Sequence, residues 1–249
     1  MATIYQRPKS LEDVPFHYCP GCGHSVVHKL IGECIDELAI LEKTILVAPV
    51  GCAVSAYNYF ACDVSEAAHG RAAAVATGIK RANPENIVIS YQGDGDLASI
   101  GMAETIHAAN RGEKICVIFI NNNVYGMTSG QMAPTTLEGQ KTTTSPKGRN
   151  AADTGYPINM CALISTLQAP IYVVRTKVTS AATIMKTKKY IKRALELQVQ
   201  GKGYAFVEIL SNCNTNWKMT PLAANKWIDS TVEQIFPLGV FVDKYKEQA

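Results

Sequence analysis

Two groups of residues in this 249-residue sequence have the types and spacing to do chemistry. The first begins at Gly93-Asp94-Gly95-Asp96, which follows the apolar run Ile87–Tyr91 and precedes a helical segment starting near Ala98. Glycines at a strand-to-helix turn let the backbone approach a bulky anion, and the helix start offers free N–H groups. The aspartate cannot attract phosphate, but it can hold a hard divalent cation that bridges to phosphate oxygens. The next apolar run ends in Asn121-Asn122-Asn123-Val124-Tyr125-Gly126, and the 25 residues between Gly95 and Asn121 suffice for one helix and one returning strand. A right-handed crossover then sets both loops side by side, at the sheet edge where α/β folds bind ligands. Each motif alone also reads as an ordinary Gly/Asn turn. Together they point to a magnesium-and-phosphate site.

The second group is sulfur. Tyr18-Cys19-Pro20-Gly21-Cys22-Gly23-His24 is a CxxC on a glycine-rich turn ahead of a helix, and that spacing lets two thiolates face one metal centre. Cys52 lies just past the first apolar run, in Pro49-Val50-Gly51-Cys52-Ala53, and Cys213 just past the last, in Ser211-Asn212-Cys213-Asn214. If those runs are parallel strands, their ends converge and the two single cysteines can meet the CxxC. One pair plus two singles suits either a four-cysteine zinc site or an iron–sulfur cluster, and spacing does not choose between them. Cys34, Cys116 and Cys161 sit in apolar surroundings and read as core residues. His69, before Gly70 and Arg71, is either a helix-start cap or a diphosphate contact. His24 and His107 are weaker candidates, His107 falling mid-helix.

Positioning these residues is the task of alternating elements. Short β-branched runs at Thr44–Ala48, Ile87–Tyr91, Ile115–Ile120, Ile171–Arg175 and Ala205–Leu210 read as strands. Helical periods over about Ser25–Leu41, Glu66–Ala82, Ala98–Arg111, Pro157–Leu167 and Ser180–Val199 separate them. The alternation predicts an α/β fold, a doubly wound, mostly parallel sheet covered by helices on both faces. Residues 125–157, rich in Thr, Gly, Pro and Lys, lack a period and read as a long functional loop. A single domain over 1–249 is expected, with the CxxC segment at 17–24.

Composition narrows the classes. With 47% hydrophobic and 18% charged residues the chain can bury a core and is not a disordered one. Its longest apolar runs are of strand length, well short of a membrane helix. A formal charge of +3 is too small to suggest a nucleic-acid partner, and the basic stretch Lys186–Arg193 reads as a solvated helix face. Met1–Asp13 is polar, without the apolar stretch of a secretory leader, so a cytoplasmic chain is expected. Its eight cysteines are then thiols or metal ligands rather than disulfides.

The Gly93-Asp94-Gly95…Asn121-Asn122 pair resembles the motif of thiamine-diphosphate enzymes. That resemblance implies a thiamine-diphosphate-binding, diphosphate-domain fold. In it Asp94, Asn122 and the Val124 carbonyl would ligate Mg2+, while Gly95, Asp96, Gly126 and Met127 line the diphosphate. Adding Cys19-Pro-Gly-Cys22-Gly23, Val50-Gly51-Cys52, His69-Gly-Arg-Ala72 and the late Cys213, the chain resembles, over most of Tyr18–Pro221, the β subunits of 2-oxoacid:ferredoxin oxidoreductases. The family resemblance implies a [4Fe-4S] cluster on Cys19, Cys22, Cys52 and Cys213, with Val50, Gly51, Cys52, Ala53 and His69 against thiamine diphosphate and Cys62 merely packed. It also implies oxidative decarboxylation of a 2-oxo acid with coenzyme A to acyl-CoA and CO2, electrons passing through the cluster to ferredoxin. No catalytic residue is assigned in this chain, because the family takes its glutamate from a separate α (pyrimidine-domain) subunit. Gamma and ferredoxin-like delta subunits complete the expected complex.

Within the family, Tyr125–Thr136 and Trp217–Pro221 look most like the branched-chain (2-oxoisovalerate, 3-methyl-2-oxobutanoate) members. Ser129 stands where some relatives that take 2-oxoglutarate carry Lys, although Lys141, Lys147 and Arg149 remain candidate acid binders. A 2-oxoglutarate or pyruvate member, a non-oxidative thiamine-dependent decarboxylase and a zinc-stabilised binding module are the alternatives. The decarboxylase would share the Gly/Asp and Asn motifs but have no use for four cysteines.

Overall fold

The computed structural model describes residues 6–246, so the polar stretch Met1–Asp13 is seen only from Gln6 onward. Its strands are β1 (Thr44–Ala48), β2 (Asp63–Glu66), β3 (Ile87–Gly93), β4 (Cys116–Asn121), β5 (Val124–Tyr125), β6 (Gln131–Met132), β7 (Tyr172–Lys177), β8 (Ala205–Leu210) and β9 (Gly239–Asp243). Seven of them form one sheet in the order β2-β1-β3-β4-β8-β7-β9, while β5 and β6 pair as a small antiparallel hairpin. All neighbours in the large sheet run parallel except β9, which lies antiparallel against β7. Every residue of β4 and β8 is buried, which is why these strands read as continuous apolar runs rather than alternating ones.

Helices cover both faces. Helix α1 (His24–Glu37) comes first, followed by α2 (Ala72–Ala82), α3 (Met102–Asn110), the short α4 (Ala151–Thr154), α5 (Met160–Ser165), α6 (Ala181–Val199) and α7 (Pro221–Trp227). Apolar residues of α1 and α6 pack one face through Val27, Ile31, Ile191 and Leu195. Residues of α2, α3 and α5 pack the other through Ala72, Ala76, Ala108 and Ile164. The predicted doubly wound sheet is the observed one.

Three expectations change. The helix expected over Glu66–Ala82 starts only at Ala72, because Asp63–Glu66 adds to the sheet edge beside β1 as β2. The His69-Gly70 turn between them is held open by close packing. Gly70 sits at φ +78°, and a Cβ there would meet the backbone of Ile100 and Gly101 within 2.7 Å. The helix expected over Ala98–Arg111 begins instead as a wide turn over Asp96–Ile100, closed by Gly101 N–H to Asp96 O at 2.8 Å, and α3 follows from Met102. The basic stretch Lys186–Arg193 is also more than a solvated face. Lys188 pairs with Glu33 (2.5 Å) and Glu37 (2.7 Å), and Lys192 with Glu37 (2.8 Å), seaming α6 to α1.

A fully buried ion pair crosses the sheet where sequence suggested only strand. Arg175 of β7 and Glu208 of β8 are register partners, with Nη2 2.9 Å from Oε2 and neither side chain exposed. The same guanidinium donates to Asn159 Oδ1 (2.5 Å) and lies over the rings of Phe236 and Phe241. Glu208 Oε1 accepts from Asn121 Nδ2 at 2.8 Å. The pair therefore anchors the last residue of β4, and Asn121 is a structural residue rather than a lining one.

The parallel register brings one edge into use. Strands β1, β3, β4 and β8 are consecutive neighbours, so their carboxyl ends lie side by side across about 15 Å at ordinary strand spacing. From those ends emerge the segments carrying Cys52, Asp94, Asn122 and Cys213. Removing one half of the buried pair leaves the other half charged and unpaired. Arg175→Met is expected to lower unfolding free energy by about 3–5 kcal/mol, with Arg175→Met/Glu208→Gln recovering much of the loss. Urea denaturation midpoints of both variants check this.

Candidate active site

Asp94 sits at the carboxyl end of β3, almost fully buried. Its carboxylate accepts from Gly95 N–H (2.9 Å) and from the Thr135 hydroxyl (2.8 Å). Burial pushes its pKa up to about 7. Burial disfavours the charged form of this carboxylate, and a hard cation bound beside it would favour that form. Asn122 and Val124 stand on the adjacent turn, which Asn123 closes in a left-handed conformation (φ +62°). Asn123 is fastened by its side-chain N–H to Thr135 O at 2.8 Å, and the Trp217 indole N–H donates to Asn122 O at 3.1 Å. Carboxylate, amide oxygen and backbone carbonyl make an all-oxygen donor set that fits Mg2+.

These residues open on a solvent-facing cleft. Val50, Gly51, Cys52, Ala53, His69, Gly95, Asp96, Gly126 and Met127 all line it. Gly51 (φ +111°) has nothing within 4 Å of where a Cβ would stand. Gly95 has the opposite reason to be glycine, since its Cβ would strike the Tyr125 ring at 2.4 Å. Asp96 lines the cleft with its carboxylate already engaged. Its carboxylate turns inward, accepting from Gln92 Nε2 (2.6 Å) and Gly70 N–H (2.6 Å) and pairing with His69 Nδ1 (2.5 Å). Asp96 thus orients His69, whose other ring edge is left for the cleft. Arg71 pairs with Glu104 and is not among the residues lining the cleft. Among the described residues, the only carboxylates lining the cleft are Asp94 and Asp96, and both are engaged.

A second cavity, of about 220 Å³, adjoins the first. Cys19, Cys22, Cys52 and Cys213 all line it, although Cys19 and Cys22 lie more than 190 residues before Cys213. The two single cysteines are close together. A Cβ on Gly126 would stand 3.3 Å from Cys52 Sγ and 3.6 Å from Cys213 Sγ. Burial, reinforced by the neighbouring thiols, pushes Cys22 up to about 11 and Cys52 to about 12. A bound cationic centre would favour the thiolate form of these buried thiols. Among the described residues, no three His, Cys, Asp or Glu side chains are arranged to hold one metal ion. A set of four cysteines around one cavity is the ligand type of a zinc site or of an iron–sulfur cluster. Cys52 borders both cavities.

Residues 49–209 match the family described as thiamine pyrophosphate enzyme, C-terminal TPP binding domain. Ketoisovalerate oxidoreductase subunit VorA of Methanothermobacter marburgensis is 52% identical over 98% of this chain, which covers 51% of that protein. The chain is 40% identical to 2-oxoglutarate synthase subunit KorB of Methanocaldococcus jannaschii, over 86% of itself and 74% of the relative. It belongs to the β subunits of the 2-oxoacid:ferredoxin oxidoreductase family. Among solved structures it resembles the 2-oxoglutarate:ferredoxin oxidoreductase of Magnetococcus marinus, determined with 2-oxoglutarate, coenzyme A and succinyl-CoA bound. The TM-score is 0.77 at 26% identity, over 96% of this chain and 86% of that one. The chain spans about half the length of the VorA relatives it matches.

Some functional neighbours of this family member escaped sequence reading. Thr135 and Trp217 brace the metal turn from 41 and 95 residues away, and only the isolated Thr135-Thr136 and Trp217 hinted at them. Beneath the two cavities lies a knot of rings. Tyr18 stacks on His24 (4.8 Å between centroids), His24 Nδ1 meets the Tyr91 hydroxyl at 2.6 Å, and His28 Nε2 meets the Tyr18 hydroxyl at 2.9 Å. His24 lines both cavities, so it is better placed than its sequence context suggested. His107 is exposed on α3, and Cys62 packs against the core outside the four-cysteine cavity.

Arg149 ties together several parts of the loop 125–157. Arg149 is buried and donates to the carbonyls of Ala133, Pro134, Thr136, Thr154, Gly155 and Tyr156. Its guanidinium is consumed by the backbone and is not the acid-binding group sequence allowed. Lys141 and Lys147 remain exposed. Arg149→Ala is expected to speed proteolytic cleavage within 125–157 at least about tenfold while far-UV circular dichroism stays unchanged. Arg149→Lys should not restore protection, because an ammonium lacks the five-donor fork.

The ring knot has a pH consequence. Burial lowers His24 to about 4 and His28 well below its ordinary value, so both are neutral in the folded chain. Unfolded imidazoles take up a proton near pH 6.5. The stability tied to these rings is therefore complete above about pH 6.5 and is lost as pH falls toward the folded values. Thermal midpoints should drop over that window, and the drop should be shallower in His28→Gln. An identical slope in the variant would exclude a buried neutral His28.

Proposed function

We propose that this chain is the thiamine-diphosphate half of a 2-oxoacid:ferredoxin oxidoreductase acting on a branched-chain substrate. That substrate is 3-methyl-2-oxobutanoate, taken with coenzyme A to the acyl-CoA and CO2. The observation that carries the reading is Cys52, which lines the cofactor cleft on one side and the four-cysteine cavity on the other. Asp94, Asn122 and the Val124 carbonyl would hold Mg2+, and Gly95, Asp96, Gly126 and Met127 would border the diphosphate. Val50, Gly51, Ala53 and His69 would face the rest of the cofactor, and Cys19, Cys22, Cys52 and Cys213 would hold a [4Fe-4S] cluster. Bound there, thiamine diphosphate supplies the carbanion chemistry of 2-oxo acid decarboxylation and the cluster takes the electrons singly.

The chain's own residues bind and orient. Asp94 fixes the cation, Asp96 fixes the ring of His69, and Val50 and Met127 give the cleft an apolar lip that a partner surface would close against water. With both cleft carboxylates engaged, the group that hydrogen-bonds the aminopyrimidine has to come from elsewhere. An α (pyrimidine-domain) subunit or an equivalent part of a longer polypeptide would carry it. Gamma and delta subunits and ferredoxin complete the proposed complex, in the cytoplasm. No helix among the described residues is long and apolar enough to cross a membrane. The branched-chain choice rests on the VorA relatives and on Ser129, which leaves no cation at that position of the four-cysteine cavity for a distal carboxylate.

Anaerobic purification of the native complex tests this. Expected are four iron and four sulfide per chain with bound thiamine diphosphate, and acyl-CoA formation fastest with 3-methyl-2-oxobutanoate. Cys52→Ser should lose iron, whereas Asp94→Ala should lose thiamine diphosphate and keep iron. Zinc without iron would overturn the redox assignment, and clear preference for 2-oxoglutarate or pyruvate would overturn the substrate.

A further inference from the structure

The run Asn212-Cys213-Asn214-Thr215-Asn216-Trp217 puts an amide on alternate residues around Cys213, and each amide reaches elsewhere. Asn212 Nδ2 donates to Gly21 O (3.0 Å) and Asn214 Nδ2 to Pro20 O (3.3 Å), so these two fasten the CxxC turn. Asn216 does something different. Its Nδ2 lies 3.2 Å from Cys213 Sγ and 2.8 Å from Gly126 O. An amide nitrogen carries two hydrogens and can serve both acceptors at once. Gly126 borders both cavities, and it follows the turn on which Asn122 and Val124 sit. The Asn216 stem is clamped as well, since a Cβ on Gly130 would come within 2.9 Å of its own Cβ.

We propose that Asn216 is a positioning residue that raises the reduction potential of the centre held by Cys213 and couples that potential to occupation of the diphosphate cleft. The inference rests on the [4Fe-4S] reading above. One electron added to a cluster increases the negative charge on its cysteine sulfurs, and an N–H donated to such a sulfur is worth more after reduction than before. A donor at Cys213 Sγ therefore favours the reduced form. Because the same nitrogen holds the Gly126 carbonyl, a ligand that orders Gly126 also fixes the donor at sulfur. Linkage makes the effect mutual, so reduction in turn tightens cofactor binding.

The test is a redox titration of the anaerobically purified complex, using dithionite and mediators and following the reduced cluster by electron paramagnetic resonance. It is run with and without thiamine diphosphate and Mg2+. Asn216→Leu removes both donors at similar size, and Asn216→Asp keeps the shape while placing acceptor oxygens beside the sulfur. In Asn216→Leu the oxidised form should be favoured up to tenfold at a fixed potential, about 59 mV for a one-electron couple. The shift should be larger in Asn216→Asp. The upward shift that thiamine diphosphate causes in the wild type should vanish in both. Unshifted potentials at full iron content would overturn the proposal and leave the cluster reading intact. Loss of iron from both variants would make Asn216 a scaffold residue and equally overturn it. A wild-type potential indifferent to thiamine diphosphate would overturn the coupling. Absence of iron and sulfide from the wild type would overturn both the proposal and the reading beneath it.

Discussion

Parallel pairing of β1, β3, β4 and β8 is the constraint on which the site depends. A parallel strand presents its carboxyl end at the same edge as its neighbours, and right-handed crossovers return the chain to that edge each time. Four neighbouring strands thus release four loops within reach of one another. A metal turn drawn from β3 and β4, and a sulfur cavity completed from β1 and β8, become adjacent without any contact in sequence. An antiparallel insertion among these four would send one of the loops to the opposite end of the sheet. The one antiparallel strand of the seven-stranded sheet, β9, sits at the far edge beyond β7, where it does no such harm.

Electrostatics separates what stabilises the fold from what awaits a ligand. Arg175 and Glu208 are buried with opposite charges facing each other, and the pair is shared with Asn121 and Asn159. At the active edge the buried acidic groups have no such cation. Asp94 is surrounded by hydrogen-bond donors and pushed up by burial; Cys22 and Cys52 are pushed up by burial and neighbouring thiols, and Cys213 by burial and by Asp94 and Cys19. Burying ionisable groups without a counter-charge is costly. Under the proposed function, bound Mg2+ and a metal cluster would supply the positive charge that lets these groups ionise.

The segment Asn212–Trp217 joins the two halves of this arrangement. It ties down the CxxC turn with Asn212 and Asn214, carries Cys213, and braces the turn of Asn122 and Gly126 with Trp217 and Asn216. The segment couples the two cavities mechanically, because a displacement of one loop cannot be confined to one cavity. The Arg149 hub does the same for the far side of the metal turn, where Thr135 leans on Asp94.

Much of this was legible in the order of residues. Strand positions follow from β-branched apolar runs, and the metal turn and CxxC follow from glycine, acid and thiol at short separations, because backbone conformation and ligand spacing are local matters. The family likeness rests on those same short motifs. What the linear order did not contain were the partners that meet across space. That Asp96, while lining the cleft, has its carboxylate held by His69, Gly70 and Gln92 was decided by contacts between separate loops. That Arg149 serves carbonyls instead of substrate was decided by the path of its own loop. Edge strands β2 and β9 also went unread, since Asp63–Glu66 is polar and their pairing depends on which neighbour lies free. Residue types and local turns were settled by sequence alone. Which side chain completes which hydrogen bond was settled only by tertiary structure, because strand order and loop crossing fix distances that local propensity cannot encode.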